Sequence, residues 1–587
     1  MCNKVWNTTK KNWVVTSAWP YVNGVPHLGT LVGSVLSADV FARYLRMRGN
    51  RVVFVSGSDE HGTVIEIEAR RKGLEPRVFT DQAHKYVLDV WRVWNLSFDN
   101  YTRTESEVHK DFVRGVFRDI ERRGYIEARE QLIAWCPQDR QYLPDRFIAG
   151  TCPYCGYEDA RGDQCDRCGK ILDPDLLVNP RCAFCGSRPM FLARKHWFFR
   201  LDKLSGELLK WLEGSRSLQE SVKSYAVSWI RSGLKPRSVT RDTSWGIPAP
   251  FEGAEDKTIY VWFDALLGYI SATKELFVSL GRPSEWEDLW SDPETMTAYF
   301  IGKDNIPFHA IIFPALILAS GRNYKLPDVI SATEYLLYEG DKFSKSRRIG
   351  IWADEAVEIV DDIDSWRFAL MRMRPEDKDT SFKWSEFIRI VNSELNDDIG
   401  NFIHRTLTLI WRHFNGSVPK LGRIAELDAE VLGEADRYWD VYVKHMDRAE
   451  IRSATDAIVE LARTGNQYIT KKAPWFKIRE DPADVGTTLN ICFRLCVYLA
   501  VMLLPIIPRR ALELLEVMGV EIGNNLVVQD RPSELIKENH KIGEPKVVFT
   551  KIPKDLVTTL LDPAKREELV KAVREKVNER RPEALKF

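Results

Sequence analysis

Lys11-Asn-Trp-Val-Val-Thr-Ser-Ala-Trp-Pro-Tyr-Val-Asn-Gly-Val-Pro-His-Leu-Gly-Thr30 is the stretch on which the fold turns. Its first part, Lys11 to Ala18, is rich in β-branched and aromatic side chains, which suit a pleated surface and predict a strand. Pro20 to Pro26 is dense in turn-forming residues. From His27 to Arg48, the residues Leu28, Leu31, Val35, Ala38, Phe41, Ala42 and Leu45 share one helical face. A second strand, Arg51 to Ser56, runs into the polar segment Gly57-Ser58-Asp59-Glu60-His61-Gly62-Thr63. The pattern is a β-α-β unit, and open parallel sheets bind ligands at the carboxyl ends of such strands. The helix start offers free N–H groups and the positive end of a dipole, a natural seat for a phosphate chain. His27 can donate to that chain, and Gly29 leaves space for a flat base to approach the backbone. Taken alone, a turn of this kind is as often a plain connection.

Composition bounds the rest. A chain of 587 residues is too long for one hydrophobic core and suggests three or four domains. Its 44% hydrophobic and 29% charged residues are ordinary for a soluble protein. Lys+Arg and Asp+Glu balance at 84 each, so a nucleic acid must be met by local patches and shape, not by a global field. The polar start, Met1 to Lys11, lacks a signal-peptide pattern, and the apolar run Leu495 to Pro508 is too short to span a bilayer. No membrane partner is expected. Ten cysteines without a secretion signal point to the reducing cytoplasm and to thiolate ligands rather than disulfides.

Three further patterns carry chemistry. Lys342-Phe343-Ser344-Lys345-Ser346, followed by Arg347 and Arg348, suits a mobile loop whose ammonium groups stabilise a leaving pyrophosphate. Standing alone it would be a solvated basic loop. Seven of the ten cysteines lie between Cys136 and Cys185, six of them in CxxC pairs each followed by Gly. Cys152, Cys155, Cys165 and Cys168 complete one tetrahedral thiolate zinc site. Cys182 and Cys185 are left with Cys136 and, at the matching spacing, Asp139: either a second zinc site or a knuckle held by packing. Four protein ligands leave no open position, so such metals are structural. From Glu386 onward the pattern is helical, with Phe387, Val391, Leu395, Ile399, Phe402 and Ile403 in one stripe. Further helices around Ala429–Asp447, Ala449–Lys471 and Asn490–Leu504 predict a bundle, and Pro563 to Phe587 reads as a charged helical tail.

Together these segments carry a resemblance. Pro20-Tyr21-x-Asn23-Gly24-x-x-His27-Leu28-Gly29-Thr30 resembles the HIGH signature of class I aminoacyl-tRNA synthetases, and Lys342 to Ser346 resembles their KMSKS loop. Ala18-Trp19-Pro20-Tyr21, Gly57 to Thr63, Tyr260-Val261-Trp262-Phe263-Asp264-Ala265 and Phe300 to His309 are similar to methionyl-tRNA synthetases of the archaeal and eukaryotic cytosolic kind. The resemblance implies an α/β fold: a Rossmann-type doubly wound catalytic domain with a zinc-knuckle insertion, followed by an α-helical bundle. It implies catalytic halves at 1–126 and 238–335, the insertion at 127–237 and a KMSKS-like, stem-contacting region at 336–385. The anticodon-binding bundle would span 386–550 and the tail 551–587.

The activity implied is activation of L-methionine by ATP to methionyl-adenylate, then transfer to the 3′ end of tRNA(Met). By resemblance, His27, Thr30, Lys342 and Lys345 act on the phosphates, and Asn23, His27, Gly29, Gly302, Asp304, Leu336 and Lys345 bind ATP. Ala18, Trp19, Tyr21, Asp59, Trp262 and His309 hold methionine, with Asp59 on its ammonium and aromatic walls against its polarizable thioether. Asn401, Arg405 and Trp475 read the anticodon by stacking and edge contacts. Thr30 stands where the signature usually ends in His; its hydroxyl donates one bond but carries no charge. Trp19 and Leu266 replace the usual Leu and Pro of bacterial members. The implied cofactors are one or two structural Zn²⁺ ions, and Mg²⁺ with ATP. The insertion is too small for the editing domain of the Ile, Val and Leu enzymes. No tRNA-binding β-barrel follows the tail, so a monomer is expected, with room for a separate tRNA-binding protein in trans. The competing readings are a class I synthetase for another amino acid, a zinc-ribbon RNA-binding protein, and a nucleotidyltransferase.

Overall fold

A computed structural model of the chain describes residues 11–586, apart from Asp163, Gln164, Asp166, Gly169, Ile171, Asp173, Ser346, Asn524, Asn525 and Gln529. The polar start before Lys11, the knuckle glycine Gly169 and Ser346 of the lysine segment therefore lie outside the described residues. In chain order the strands that position the site are β1 (Asn12–Ser17), β2 (Arg51–Ser58), β3 (Asn100–Arg103), β4 (Ile126–Cys136), β5 (Met190–Phe199), β6 (Met296–Gly302) and β7 (Val329–Thr333). Five of them form one parallel sheet in the order β7-β6-β1-β2-β3. From β1 the chain builds outward to β3, then returns on the other side of β1 to build β6 and β7. The direction of winding reverses between β1 and β6, and a crevice opens outside their carboxyl ends.

Helices cover both faces of the sheet, which is why its inner strands are apolar almost throughout. α1 runs from Leu28 to Met47 and α2 from Val261 to Ser279; α3 is Phe313–Ser320. α1 contains a π turn, Leu31–Val35, and α3 is preceded by another, Phe308–Ile312. Such turns gather at functional sites; one follows His27 and the other contains His309. Trp262, which sits in a strand-like run of sequence, lies instead in the first turn of α2, because its short strand stops at Ile259. Between the two halves of the sheet, β4 and β5 form a long antiparallel hairpin, from Ile126 opposite Phe199 to Trp135 opposite Met190. The cysteine knuckles lie between these two strands in sequence.

The C-terminal half is helical: α4 (Asn401–Phe414), α5 (Glu426–Asp447), α6 (Ile451–Lys472), α7 (Pro482–Leu503) and the tail helix α8 (Pro563–Arg580). α7 corrects the sequence expectation, since it begins eight residues before Asn490 and is by length and composition able to cross a membrane. It is the core of the bundle, with 94% of its apolar window buried. Its polar first turns are hidden because Thr487 and Thr488 donate to the carbonyls of Ala483 and Asp484 one turn back.

A buried ion pair joins the halves. Arg367 donates to Asp39 at 2.6 Å, to the Ile506 carbonyl at 2.7 Å and to the Trp94 carbonyl at 3.1 Å. Asp39 also accepts from Arg43 and from the backbone and hydroxyl of Ser97. Burial pushes the Asp39 carboxyl up, but Arg43 and Arg367 outweigh it and hold the group at about 2. Arg367→Met should therefore leave the buried carboxylate with only Arg43 and Ser97 and cost about 3 kcal/mol, read by urea denaturation at neutral pH. Because the folded-state value is depressed, Asp39 stabilises the native state above the ordinary carboxylate range. The difference between variant and parent should shrink as pH falls from about 4 towards 2.

Candidate active site

The phosphate side of the crevice is built on the start of α1. His27 precedes the helix with extended backbone, and its Nδ1 accepts from the Thr30 N–H at 3.3 Å. That bond places the proton on Nε2. Burial lowers the ring's pKa to about 4, so at neutral pH His27 is an uncharged donor. A Cβ on residue 29 would lie 2.9 Å from the His27 ring, so Gly29 is needed to seat that histidine. The His27 ring stacks on Phe343 at 4.4 Å with 10° between the planes. Phe343 in turn packs on Gly350, whose φ of +125° and lack of a Cβ both matter there. Lys345 donates to the Asn23 carbonyl and stands 3.8 Å from the Glu68 carboxylate. The two distant segments thus meet. Lys342 lies apart from Lys345's partners, 4.8 Å over the Tyr335 ring. Tyr335 also donates to Asp304 at 2.5 Å, beside buried Leu336, while Gly302 at the end of β6 has open space around it. Thr30 is half-buried, and its N–H is the cap donor.

The second side is built on the end of β2. The Asp59 N–H donates to the Pro20 carbonyl at 2.9 Å, and the Val22 N–H donates to the Asp59 carbonyl at 3.1 Å. Asp59 is 5% exposed, and its Oδ1 has no hydrogen-bond partner among the described residues. Burial and the nearby Asp264 push its pKa up, outweighing the charge and backbone N–H of His61, which pull it down. His61, two residues on, lies fully buried between Asp264 Oδ2 at 3.0 Å and Glu105 Oε1 at 2.8 Å. Desolvation opposes its charge, yet the two carboxylates raise its pKa to about 10, so it is an imidazolium. The Tyr21 hydroxyl donates to the His61 carbonyl, and Trp245 donates to the Glu60 carbonyl at 2.6 Å. His61 and Asp264 lie inside the sequence motifs without a role assigned to them there, and Glu105 lies outside those motifs. The signal was a histidine among acids, whose partners only the fold reveals.

The aromatic wall follows. Trp262 is half-buried and stacks on Phe308 at 4.2 Å and 11°. His309 donates from Nδ1 to the Asn305 carbonyl and accepts at Nε2 from the Tyr269 hydroxyl at 2.7 Å. Burial holds it neutral, with a pKa of about 4. Trp19 is buried against Gly57 and Gly268, where a Cβ would come within 2.8 and 2.7 Å of its ring. Two glycines thus make the slot that an indole occupies, and buried Leu266 lies two residues before the second of them. Ala18 donates to the Phe300 carbonyl at 2.9 Å, tying β1 to β6 at the crevice.

Two outlying sites are also assembled. Cys152, Cys155, Cys165 and Cys168 form one cluster, and Cys136, Asp139, Cys182 and Cys185 another, with ligand atoms in each within 4.8 Å of one another. Sulfur separations of 3.9 and 3.6 Å in the first and 3.4 Å in the second match the tetrahedral edge of roughly 3.8 Å implied by Zn–S bonds. In the second, Cys182 lies 3.0 Å from Asp139, and the Ser187 hydroxyl flanks Cys136 and Cys185. In the bundle, Asn401 and Arg405 stand one turn apart on α4, and the Arg405 guanidinium lies 5.6 Å from the Trp475 ring. Trp475 is 36% exposed and its neighbour Phe476 77%, a second aromatic that the sequence reading left aside.

A five-stranded parallel sheet with its site at the switch point, closed by a distant lysine segment, is the arrangement of a class I tRNA synthetase. Residues 13–407 match the family described as "tRNA synthetases class I (M)", and residues 418–561 match "Anticodon binding domain of methionyl tRNA ligase". The methionine–tRNA ligase of Metallosphaera sedula is 51% identical over 576 residues, covering 98% of this chain and all of that protein. That of Aeropyrum pernix is 52% identical over 579 residues, covering 98% and 99%. The chain belongs to the methionine–tRNA ligase family. The solved structure of the Mycobacterium tuberculosis methionyl-tRNA synthetase in complex with methionyl-adenylate shares its fold. The TM-score is 0.75 at 24% identity, over 92% of this chain and all of that one.

His61→Gln should remove a cation from between two buried carboxylates and cost about 3 kcal/mol or more, measured by denaturant unfolding. His61's pKa is raised, so its contribution is complete below the ordinary histidine range and fades as pH rises through about 10. The parent's midpoint should fall over that window, and the variant's should not follow it.

Proposed function

We propose that this chain activates methionine with ATP and transfers it to tRNA, using the crevice between β1 and β6. The observation that carries this reading is the meeting of the His27 turn with the lysine segment more than 300 residues away, Phe343 stacking on His27 and Lys345 bonding the Asn23 carbonyl. In this reading ATP enters with its Mg²⁺ and lays its triphosphate along the start of α1. Methionine's carboxylate attacks the α-phosphorus in line, and the bond to pyrophosphate breaks. No side chain becomes covalent; catalysis is positioning and charge stabilisation. His27 donates from Nε2, and Lys345 exchanges the Asn23 carbonyl for phosphate oxygens, with Thr30 beside them and Lys342 brought in from over the Tyr335 ring. Asn23, Gly29, Gly302, Asp304 and Leu336 frame the nucleotide. Asp59 takes the ammonium that its bare oxygen lacks. Trp262, Tyr21, Trp19, Ala18 and His309 enclose the thioether. The terminal ribose hydroxyl of tRNA(Met) then accepts the aminoacyl group, while Asn401, Arg405 and Trp475 hold the anticodon.

The two cysteine clusters would hold Zn²⁺ as structural ions, fixing the folds of the 127–237 insertion near the acceptor end. The remaining divisions are 1–126 and 238–335 for catalysis, 336–385 for the lysine loop, 386–550 for the anticodon and 551–587 for the tail. The protein would act as a monomer in the cytoplasm, with or without a tRNA-binding partner in trans.

Pyrophosphate exchange measured with each of the twenty amino acids should respond to methionine alone; dependence on another would replace this reading. Lys345→Ala should slow exchange by about two orders of magnitude or more while methionine still binds, as tryptophan fluorescence would report. Trp475→Ala should cut tRNA charging about tenfold or more and leave exchange within roughly twofold; equal losses in both would remove the anticodon role. Metal analysis should give two zinc ions per chain, and Asp139→Ala should give one.

A further inference from the structure

The tail helix α8 does more than cover the catalytic half. Just past its end, Arg581 is buried and grips Asp354 through two 2.8 Å bonds, and Tyr86 donates to the same carboxylate at 3.0 Å. Two turns back, Arg574 spends its donors differently. Its Nε donates to Glu355 at 2.9 Å, but Nη2 donates to the Gly350 carbonyl at 2.9 Å and Nη1 to the Arg348 carbonyl at 3.2 Å. Its guanidinium also lies 4.8 Å over the Trp352 ring.

Those two carbonyls belong to the return limb of the lysine segment. Ser344 and Ile349 exchange two backbone bonds at 2.9 Å, so the two limbs of the segment pair as a short hairpin, with Lys345 directly after the paired Ser344. The limb leaving it is held on one side by the start of α1, through Leu28 N–H to the Ile351 carbonyl at 3.2 Å and Ala353 N–H to the Pro26 carbonyl at 2.8 Å. Arg574 holds it on the other. Gly350, whose carbonyl Arg574 binds, is also the residue on which Phe343 packs, and Phe343 stacks on His27. One side chain of the tail therefore touches the stretch on which Phe343 and the lysine hairpin are seated. Glu355, its third partner, caps the helix Ala353–Ile359 that follows.

We propose that Arg574 is a positioning residue for adenylate formation: it holds the return limb of the lysine hairpin so that Phe343 seats on His27 and Lys345 stands at the phosphates. The proposal rests on the activity proposed above. Two charge-assisted bonds to backbone carbonyls are enough to shift such a loop by tenfold or more in population. Arg574 touches no substrate, so its loss acts on the closing step and spares amino-acid binding.

The test compares the full chain with Arg574→Ala and Arg574→Lys. In Arg574→Ala, kcat for methionine-dependent pyrophosphate exchange should fall about tenfold or more, with KM for methionine within roughly twofold. Trypsin cleavage after Lys342, Lys345, Arg347 or Arg348 should quicken by a similar factor at unchanged melting temperature. Arg574→Lys keeps the charge and part of the donor set and should recover some of both. Where Arg574→Ala does not fold, Arg574→Gln, which keeps one amide donor and most of the stem, is compared instead. Unchanged kcat and cleavage would overturn the proposal, as would a fall in kcat matched by an equal rise in KM and a lowered melting temperature. If the parent shows no methionine-dependent exchange, the activity reading fails, and the cleavage rates alone still decide whether Arg574 holds the loop.

Discussion

The buried imidazolium of His61 is the constraint from which the site takes its shape. It lies on the loop after β2, and its two carboxylate partners come from elsewhere, Asp264 from α2 and Glu105 from the segment after β3. Removing three charges from water is expensive, and only close, directional pairing offsets it. That pairing fixes three elements relative to one another at the rim of the crevice. The same loop carries Asp59, and the same helix carries Trp262. A site built this way holds its walls before any ligand arrives, which lowers what ordering would otherwise take from binding. Asp59 and Asp264 each keep a buried oxygen without a hydrogen-bond partner among the described residues, and burial and Asp264 push the Asp59 pKa up against the pull of His61, so a further cationic group suits this rim.

Histidine is used here in opposite ways, and burial alone does not decide which. His27 and His309 are crowded by apolar or backbone neighbours and stay neutral, each with its tautomer set by one backbone bond. His61 is buried at least as deeply as either, yet two carboxylates reverse the sign. A neutral donor suits a phosphate chain that must leave, because it does not trap the charge. A permanent cation suits a strut. The division follows from the carboxylates at His61, which stand 203 and 44 positions away in the chain and which its local sequence does not display.

That distinction also marks how much was legible beforehand. The β1–α1 unit was readable because its signal is local: a β-branched run, a turn, then a 3.6-residue period. The cysteine clusters were readable because CxxC spacing encodes a ligand geometry. Asn401 and Arg405 could be placed on one face for the same reason. Trp262's helix, by contrast, begins inside a segment whose short-range alternation imitates a strand. α7 began earlier than its apolar run because Thr487 and Thr488 hide their hydroxyls against their own helix. Glu105 and the partners of Arg574 were invisible for a plainer reason. Asp264 stands 203 positions from His61 and Glu355 stands 219 from Arg574, and no local pattern announces a pairing over such distances.

The long-range pairings also set how the helical half packs on the catalytic half. A single apolar core runs from the sheet into the bundle, including Val15 and Phe41 on one side and Leu489 and Phe493 on the other. Apolar contact alone would allow the halves to slide, since it has little direction. Arg367 on Asp39, Tyr44 on Asp447 and Arg581 on Asp354 add direction at three separate places along the boundary. Each binds a carboxylate to a donor from a distant part of the chain, so each fixes a register that the core leaves loose. Arg574 differs from these in where its carbonyl acceptors lie: two of them are on the return limb of the lysine hairpin. A strut that ends on a rigid element locks it, whereas one that ends on a hairpin limb biases it. Coupling of this kind needs no wire through the interior, only one element with two positions and a fixed arm that favours one of them.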